Sequence, residues 1–283
     1  MTPAPTTARE LGPARPARVT LPRVIASEWT KLASLRSTWW TLLIGVLLMI
    51  GLAALFAASI AMAGAEGVGT TGPAGPGGPL AGTDGVAISL NGVMLAQLAF
   101  GILGVLAISG EYSSGSIGPS LMAVPQRWPL LVGKAAVIAA LTLTVGMVAS
   151  YAAFGTGQAL LAGTGLEHTL GDPGVVRAVA GAGAYLAVVS LLGVGLGALL
   201  RHTAGSMAAL VGVLLLLTPL SAALPDTWQT TIGPYLPANA GEAVMAASST
   251  DAMLAPSVAL SVLIGYVLVI FGAAGVSLLR RDA

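Results

Sequence analysis

Few residues in this chain are of a type that does chemistry, and their spacing defeats the common reactions. A phosphate-cradling loop needs two glycines with four residues between them, then Lys and Ser or Thr, so that backbone N–H groups, an ammonium and a Mg²⁺-binding hydroxyl converge. Gly133-Lys134 comes nearest, but Trp128 stands at the first glycine position and Ala135 replaces the hydroxyl residue. The two histidines, His168 and His202, are far apart with no H-E-x-x-H between them, and cysteine is absent. Thr142, Thr144, Ser150, Ser190, Ser206, Thr218 and Ser261 lie in apolar runs. There a hydroxyl bonds back to its own helix more readily than it attacks a substrate. No catalytic, metal-binding or cofactor-binding residue is therefore assigned. What remains is Gly110–Lys134 (GEYSSGSIGPSLMAVPQRWPLLVGK), with Glu111, Arg127 and Lys134 around a short apolar set, Ile117, Leu121 and Val124.

The elements that must position that stretch follow from composition. The chain is 55% apolar and 8% charged, where a soluble domain carries roughly 25% charge. A net charge of +1 gives a nucleic acid no electrostatic footing. Six long runs carry no Asp, Glu, Lys or Arg: Ser37–Ala65, Gly85–Gly110, Ala135–Leu166, Ala178–Leu200, His202–Pro225 and Ala252–Leu279. Each holds the roughly 20 helical residues that cross hydrocarbon. Runs such as Leu42–Leu55 and Leu210–Leu217 do not alternate as barrel strands would. The expectation is an all-α integral membrane protein with six transmembrane helices near Trp39–Met62, Ala87–Ser109, Ala135–Thr156, Val179–Leu200, Ala204–Leu224 and Pro256–Leu279. The fifth has little slack and contains Pro219, so a helix pair dipping into the membrane also fits it.

Six spans place the N-terminus, the second and fourth connections and the C-terminus on one side. That side receives every Lys and Arg of the 12 except Arg177, which marks it as cytoplasmic in a multi-pass cell-membrane protein. Glu66, Asp84, Glu167, Asp172, Asp226, Glu242 and Asp251 sort to the other side. The first apolar run starts too late for a cleavable signal.

Residues 1–21, rich in Pro, Ala and Arg, read as a disordered cytoplasmic tail. Residues 22–36 read as an interfacial amphipathic helix with Ile25, Trp29 and Leu32 on one face and Arg23, Ser27, Glu28, Lys31 and Ser34 polar. A plain basic anchor is the alternative. Trp29, Trp39 and Trp40 suit the headgroup level. The six-span transmembrane body covers 37–279, with an external Gly/Pro-rich loop at 63–86, a cytoplasmic loop at 110–134 and an external loop at 225–255; residues 280–283 form the cytoplasmic end. The 225–255 segment fits either a short helix at the outer leaflet or an amphipathic loop. In 110–134, Glu111 stands where a helix C-terminus disfavours negative charge, so it is expected to face the start of a following helix. Ile117, Leu121 and Val124 give that helix an apolar face before Pro125, and Arg127 and Lys134 flank the next span. Such an element carries force if something docks on it; otherwise it is a passive connector. Gly101, Gly104, Gly193, Gly195 and Gly197 suit close helix packing. Gln97 and Asn91 are the few strongly polar groups within the second apolar run.

Three stretches carry a resemblance. SEWTKLASLRSTWWTLLIG (Ser27–Gly45), the Gly110–Lys134 block and YLPANAGEAV (Tyr235–Val244) resemble actinobacterial permease subunits of the ABC-2 type, the membrane halves of ATP-binding-cassette transporters. The likeness runs from Ser27 onward. Its most specific part is the spacing of Glu111, Gly115-Ser116-Ile117, Leu121, Pro125, Arg127 and Lys134; Ser116 and Gln126 depart mildly from the pattern. The resemblance implies an ABC-2 (type V) exporter-like fold with an N-terminal elbow helix, a cytoplasmic coupling helix near Ile117–Val124 braced by Glu111 and Arg127, and re-entrant helices before the sixth span. It implies partners too: a cytoplasmic ABC ATPase subunit that carries ATP and Mg²⁺, and a second permease subunit, all embedded in membrane lipid. The cargo of an exporter of this kind is amphiphilic or hydrophobic, and no residue marks its binding site. A non-transporting polytopic scaffold or sensor and assembly partner is the alternative, and a membrane enzyme a third.

Overall fold

The computed structural model describes residues 20–65, 84–113, 127–221, 223, 225–248 and 253–280, and the regular structure among them is helical. Most of the expected tail, most of the Gly/Pro-rich loop, and Ile117, Leu121 and Val124 lie outside the described residues.

Helix α1 spans Leu21–Ser34, with extended Thr20 before it and Pro22 in its first turn, where a missing N–H costs nothing. Leu35 breaks it in an extended conformation, and α2 (Arg36–Ala65) follows at once. Helices α3 (Gly85–Leu90) and α4 (Val93–Ser113) form one apolar column, opened by the Asp84 carboxylate accepting from Ala87 N at 2.7 Å. Helix α5 (Arg127–Leu161) begins at Arg127 rather than near Ala135, so Lys134 sits within a continuous helix instead of ahead of it. Next come α6 (Val175–Leu200) and α7 (Thr203–Ser221), whose middle, Gly212–Leu216, is a π turn. The fifth apolar run is thus one helix of 19 residues. The π turn lies just before Pro219, whose ring and missing N–H disturb the preceding carbonyls.

The 225–255 segment resolves towards helix: α8 (Asp226–Ile232), a 3₁₀ turn at Gly233–Tyr235, and α9 (Pro237–Met245), whose Ala240, Ala243 and Val244 are buried. Helix α10 is Pro256–Arg280.

Six of these columns are long and apolar enough to cross a membrane: Arg36–Met62, Gly85–Tyr112, Trp128–Leu161, Val175–Leu200, Thr203–Ser221 and Pro256–Ser277. Helix α6 is the axis. Of its most apolar stretch 78% is buried, against 17% for α7, because α4, α5, α9 and α10 all pack on α6. Ser190 on α6 shares a hydrogen bond with Thr142 of α5 at 2.8 Å, and Tyr185 donates to Gln97 of α4 at 2.6 Å. The outer helices expose aliphatic side chains, among them Leu43, Ile44 and Leu47 on α2 and Leu268 and Val269 on α10. In water such contiguous faces would associate, whereas hydrocarbon accepts them.

Candidate functional site

At one end of the bundle, four charged side chains from three helices meet. The sequence reading put Glu28 on the polar side of α1. The structure reverses this, because the buried residues of α1 are Val24, Glu28 and Leu32, one helical turn apart, and they face α5. Ile25 is half-buried and Trp29 exposed. The Glu28 side chain is 1% exposed and that of Lys134 3%. Such groups need partners, since an unpaired charge in that setting is costly.

They have them. Lys134 Nζ donates to Glu28 Oε2, and also to Glu111 Oε1 at 3.0 Å. Lys31 Nζ donates to Glu28 Oε1 at 2.7 Å and to Glu111 Oε1 at 3.2 Å. Two carboxylates and two ammonium groups therefore alternate in a closed, neutral ring. It joins α1 to the last turn of α4 and the third turn of α5. Burial works against ionisation of Glu28, but Lys134 and Lys31 outweigh it and hold the carboxyl below its ordinary value. Burial likewise works against the Lys31 ammonium, and Glu28 with Glu111 overcomes that and raises it.

The sign of the pH dependence follows. The stabilisation due to Glu28 is complete above its ordinary value of 4.5 and is lost as the pH falls through the lower folded value. That due to Lys31 is complete below 10.5 and lost as the pH rises through its higher folded value. Between these limits the docking of α1 should be insensitive to pH. Thermal melting in neutral detergent checks this: the gap in melting temperature between the native chain and Glu28→Gln should be constant near neutrality and shrink on the acid side below 4.5. A gap unchanged down to strong acid would contradict the ring.

Of the residues singled out from sequence, Glu111 is in the ring. The helix start it was expected to face falls in 114–126, outside the described residues. Arg127 opens α5, but its side chain is also outside what is described. Trp29, Trp39 and Trp40 are all exposed at this end, and Trp39 Nε1 donates to Ala33 O at 3.0 Å, tying α2 back to α1. Glu28, Lys31 and Lys134 were not assigned to a site from sequence. The available signal was Val24, Glu28 and Leu32 at four-residue spacing, which puts an acid inside an apolar stripe.

The opposite end is tied by side chains bonding to backbone groups. Gln158 Nε2 donates to Gly85 O at 2.9 Å, its Oε1 accepts from His168 N at 2.7 Å, and Arg177 donates to Ala246 O and Ala247 O. His202 is at the other end, capping α7 by accepting from Gly205 N at 3.0 Å. No three His, Asp or Glu gather among the described residues in a way that could hold a metal ion.

Among the described residues the regular structure is helical, and its six apolar columns fit a multi-pass membrane protein. No protein-family model matches it, and no curated protein sequence matches it as a relative.

Proposed function

We propose that this chain is the membrane-spanning permease subunit of an ATP-binding-cassette transporter of the ABC-2 type, exporting an amphiphilic or hydrophobic substrate. The observation that carries the reading is the ring of Glu28, Lys31, Glu111 and Lys134, in which Glu28 and Lys134 are buried. It ties α1 to the last turn of α4 and to α5, the helices on either side of residues 114–126, so a push delivered at that end moves the three helices together. The apolar columns carry no Asp, Glu, Lys, Arg or His in their middle portions, which fits a protein whose drive comes from outside the membrane. The drive is a separate cytoplasmic ATPase that holds ATP and Mg²⁺. The ring end, where the basic residues collect, faces the cytoplasm, and a second permease subunit completes the pathway.

The test is to purify the chain with the ATPase encoded beside it. The complex should survive mild detergent, and Arg127→Ala should lower transport-coupled ATPase activity several-fold while membrane insertion is unchanged. Failure to recover any ATPase would favour the scaffold reading. Full activity in Arg127→Ala would remove that residue from the coupling.

A further inference from the structure

The serines and threonines of the long helices follow a habit: Thr142, Thr144, Ser150 and Ser261 each donate to the carbonyl four residues back. Ser109 on α4, Thr218 on α7 and Ser277 on α10 break it: each hydroxyl oxygen is buried and has no hydrogen-bond partner, and Ser109 and Ser277 belong to the same end of the bundle. Buried polar atoms are nearly always satisfied, so two such oxygens at one end of the bundle call for an explanation. Between α4 and α10 lies Arg201, the residue that ends α6. Its Nη2 donates to Ser277 O at 3.2 Å and its guanidinium stands 5.4 Å from the centre of the Tyr112 ring, one turn along α4 from Ser109. Its Nε is buried and also without a partner.

The backbone adds an independent observation. Arg201 has φ 53° and ψ 18°, and among the described residues it alone, apart from glycines, has positive φ. Glycine usually occupies that position after a helix. An arginine held there is a strained choice that the fold has to overcome, and strain of this kind collects at functional positions.

The geometry points to a binding site for a phosphate group at the corner of α4, α6 and α10, supplied by the headgroup of an anionic phospholipid. Arg201 Nε donates to the phosphate, the Ser109 and Ser277 hydroxyls turn to donate to it, and the Tyr112 ring holds the guanidinium plane. A planar guanidinium suits phosphate oxygens better than an ammonium does. The inference rests on the chain spanning a membrane and not on its transporting anything.

Arg201→Gly is the informative variant, because glycine relaxes the backbone while the guanidinium goes. Thermal unfolding of the full chain in neutral detergent, followed by tryptophan fluorescence, is measured with added phosphatidylglycerol, phosphatidylcholine or inorganic phosphate. In the native chain phosphatidylglycerol should raise the melting temperature saturably and phosphatidylcholine should not. Arg201→Gly should melt no lower than the native chain without lipid, and should bind phosphatidylglycerol at least about tenfold more weakly, the loss expected for a hydrogen bond to a charged group. Ser109→Ala combined with Ser277→Ala, which leaves the guanidinium in place, should weaken it as well. If inorganic phosphate alone reproduces the shift in the native chain but not in Arg201→Gly, the phosphate assignment stands and its source is soluble. Equal stabilisation of Arg201→Gly and the native chain by phosphatidylglycerol, or equal effects of the two lipids, would overturn the proposal.

Discussion

Replacing Lys134 with Ala should cost about 3–5 kcal/mol, the usual result of leaving a buried carboxylate without its cation. Glu28 is the reason, since its side chain is 1% exposed and Lys134 supplies its most buried contact. Lys31 cannot take over, because it reaches Glu28 from the 44%-exposed rim of the ring, where water screens the pair. The loss should appear first as undocking of α1. In a chain without cysteines, Val24→Cys offers a unique thiol on the buried face of α1, and its labelling should quicken in the Lys134→Ala background well before the bundle melts. Pairing Glu28→Gln with Lys134→Met should recover most of the stability, because a neutral pair of similar volume no longer pays for desolvation. If Lys134→Ala melts within 1 kcal/mol of the native chain, taking about 1 kcal/mol as the ceiling for exposed pairs, the ring is a surface feature and the clamp has no energetic content.

The contrast between the columns and this ring explains what was legible in the sequence. A run such as Leu42–Leu55 declares its structure by itself, because lipid leaves a backbone no alternative to the helix. All six columns could be found that way, as could the glycine-lined face of α6. The ring could not, since its members are far apart in sequence (Glu28, Glu111 and Lys134), and each looks like an ordinary charge at a helix end. The side of a helix an acid occupies depends on its neighbours in space. On α1 the pairs Ile25–Trp29 and Val24–Leu32 both make plausible apolar stripes. Packing against α5 chose the second. The third charge-free run begins at Ala135 because Lys134 flanks it, yet the helix of that column starts at Arg127, and within it Lys134 is neutralised by Glu28 and Glu111. The π turn in α7 has no clear sequence mark beyond Pro219.

Enlarging Gly104 should be the most damaging change in the membrane core. A Cβ there would run into the carbonyl of Ser190 on α6, and one at Gly193 would run into the carbonyl of Gly101 on α4. Both obstacles are backbone, which cannot rotate aside, so the helices themselves must part. Gly104→Ala and Gly193→Ala should each cost at least the ~1–3 kcal/mol of ordinary overpacking, and Gly104→Val should prevent assembly. Parting α4 from α6 also strains the buried Tyr185–Gln97 bond between them and displaces the Ser190 backbone, which carries the hydroxyl that meets Thr142, so the losses should exceed additivity when combined with Tyr185→Phe. Gly197 gives the internal comparison. A Cβ there meets the Ile108 side chain at 2.6 Å, which can yield, and backbone no nearer than the Val105 carbonyl at 3.1 Å, so Gly197→Ala should cost less. Gly51, with nothing within 4 Å, should gain from Ala about 0.5–1 kcal/mol of helix propensity. Denaturation of the four purified Gly→Ala variants in mixed micelles should therefore rank them Gly51 above native, then Gly197, then Gly193 and Gly104. A flat ranking would mean that α4 and α6 are not in backbone contact, and that the axis of the bundle lies elsewhere.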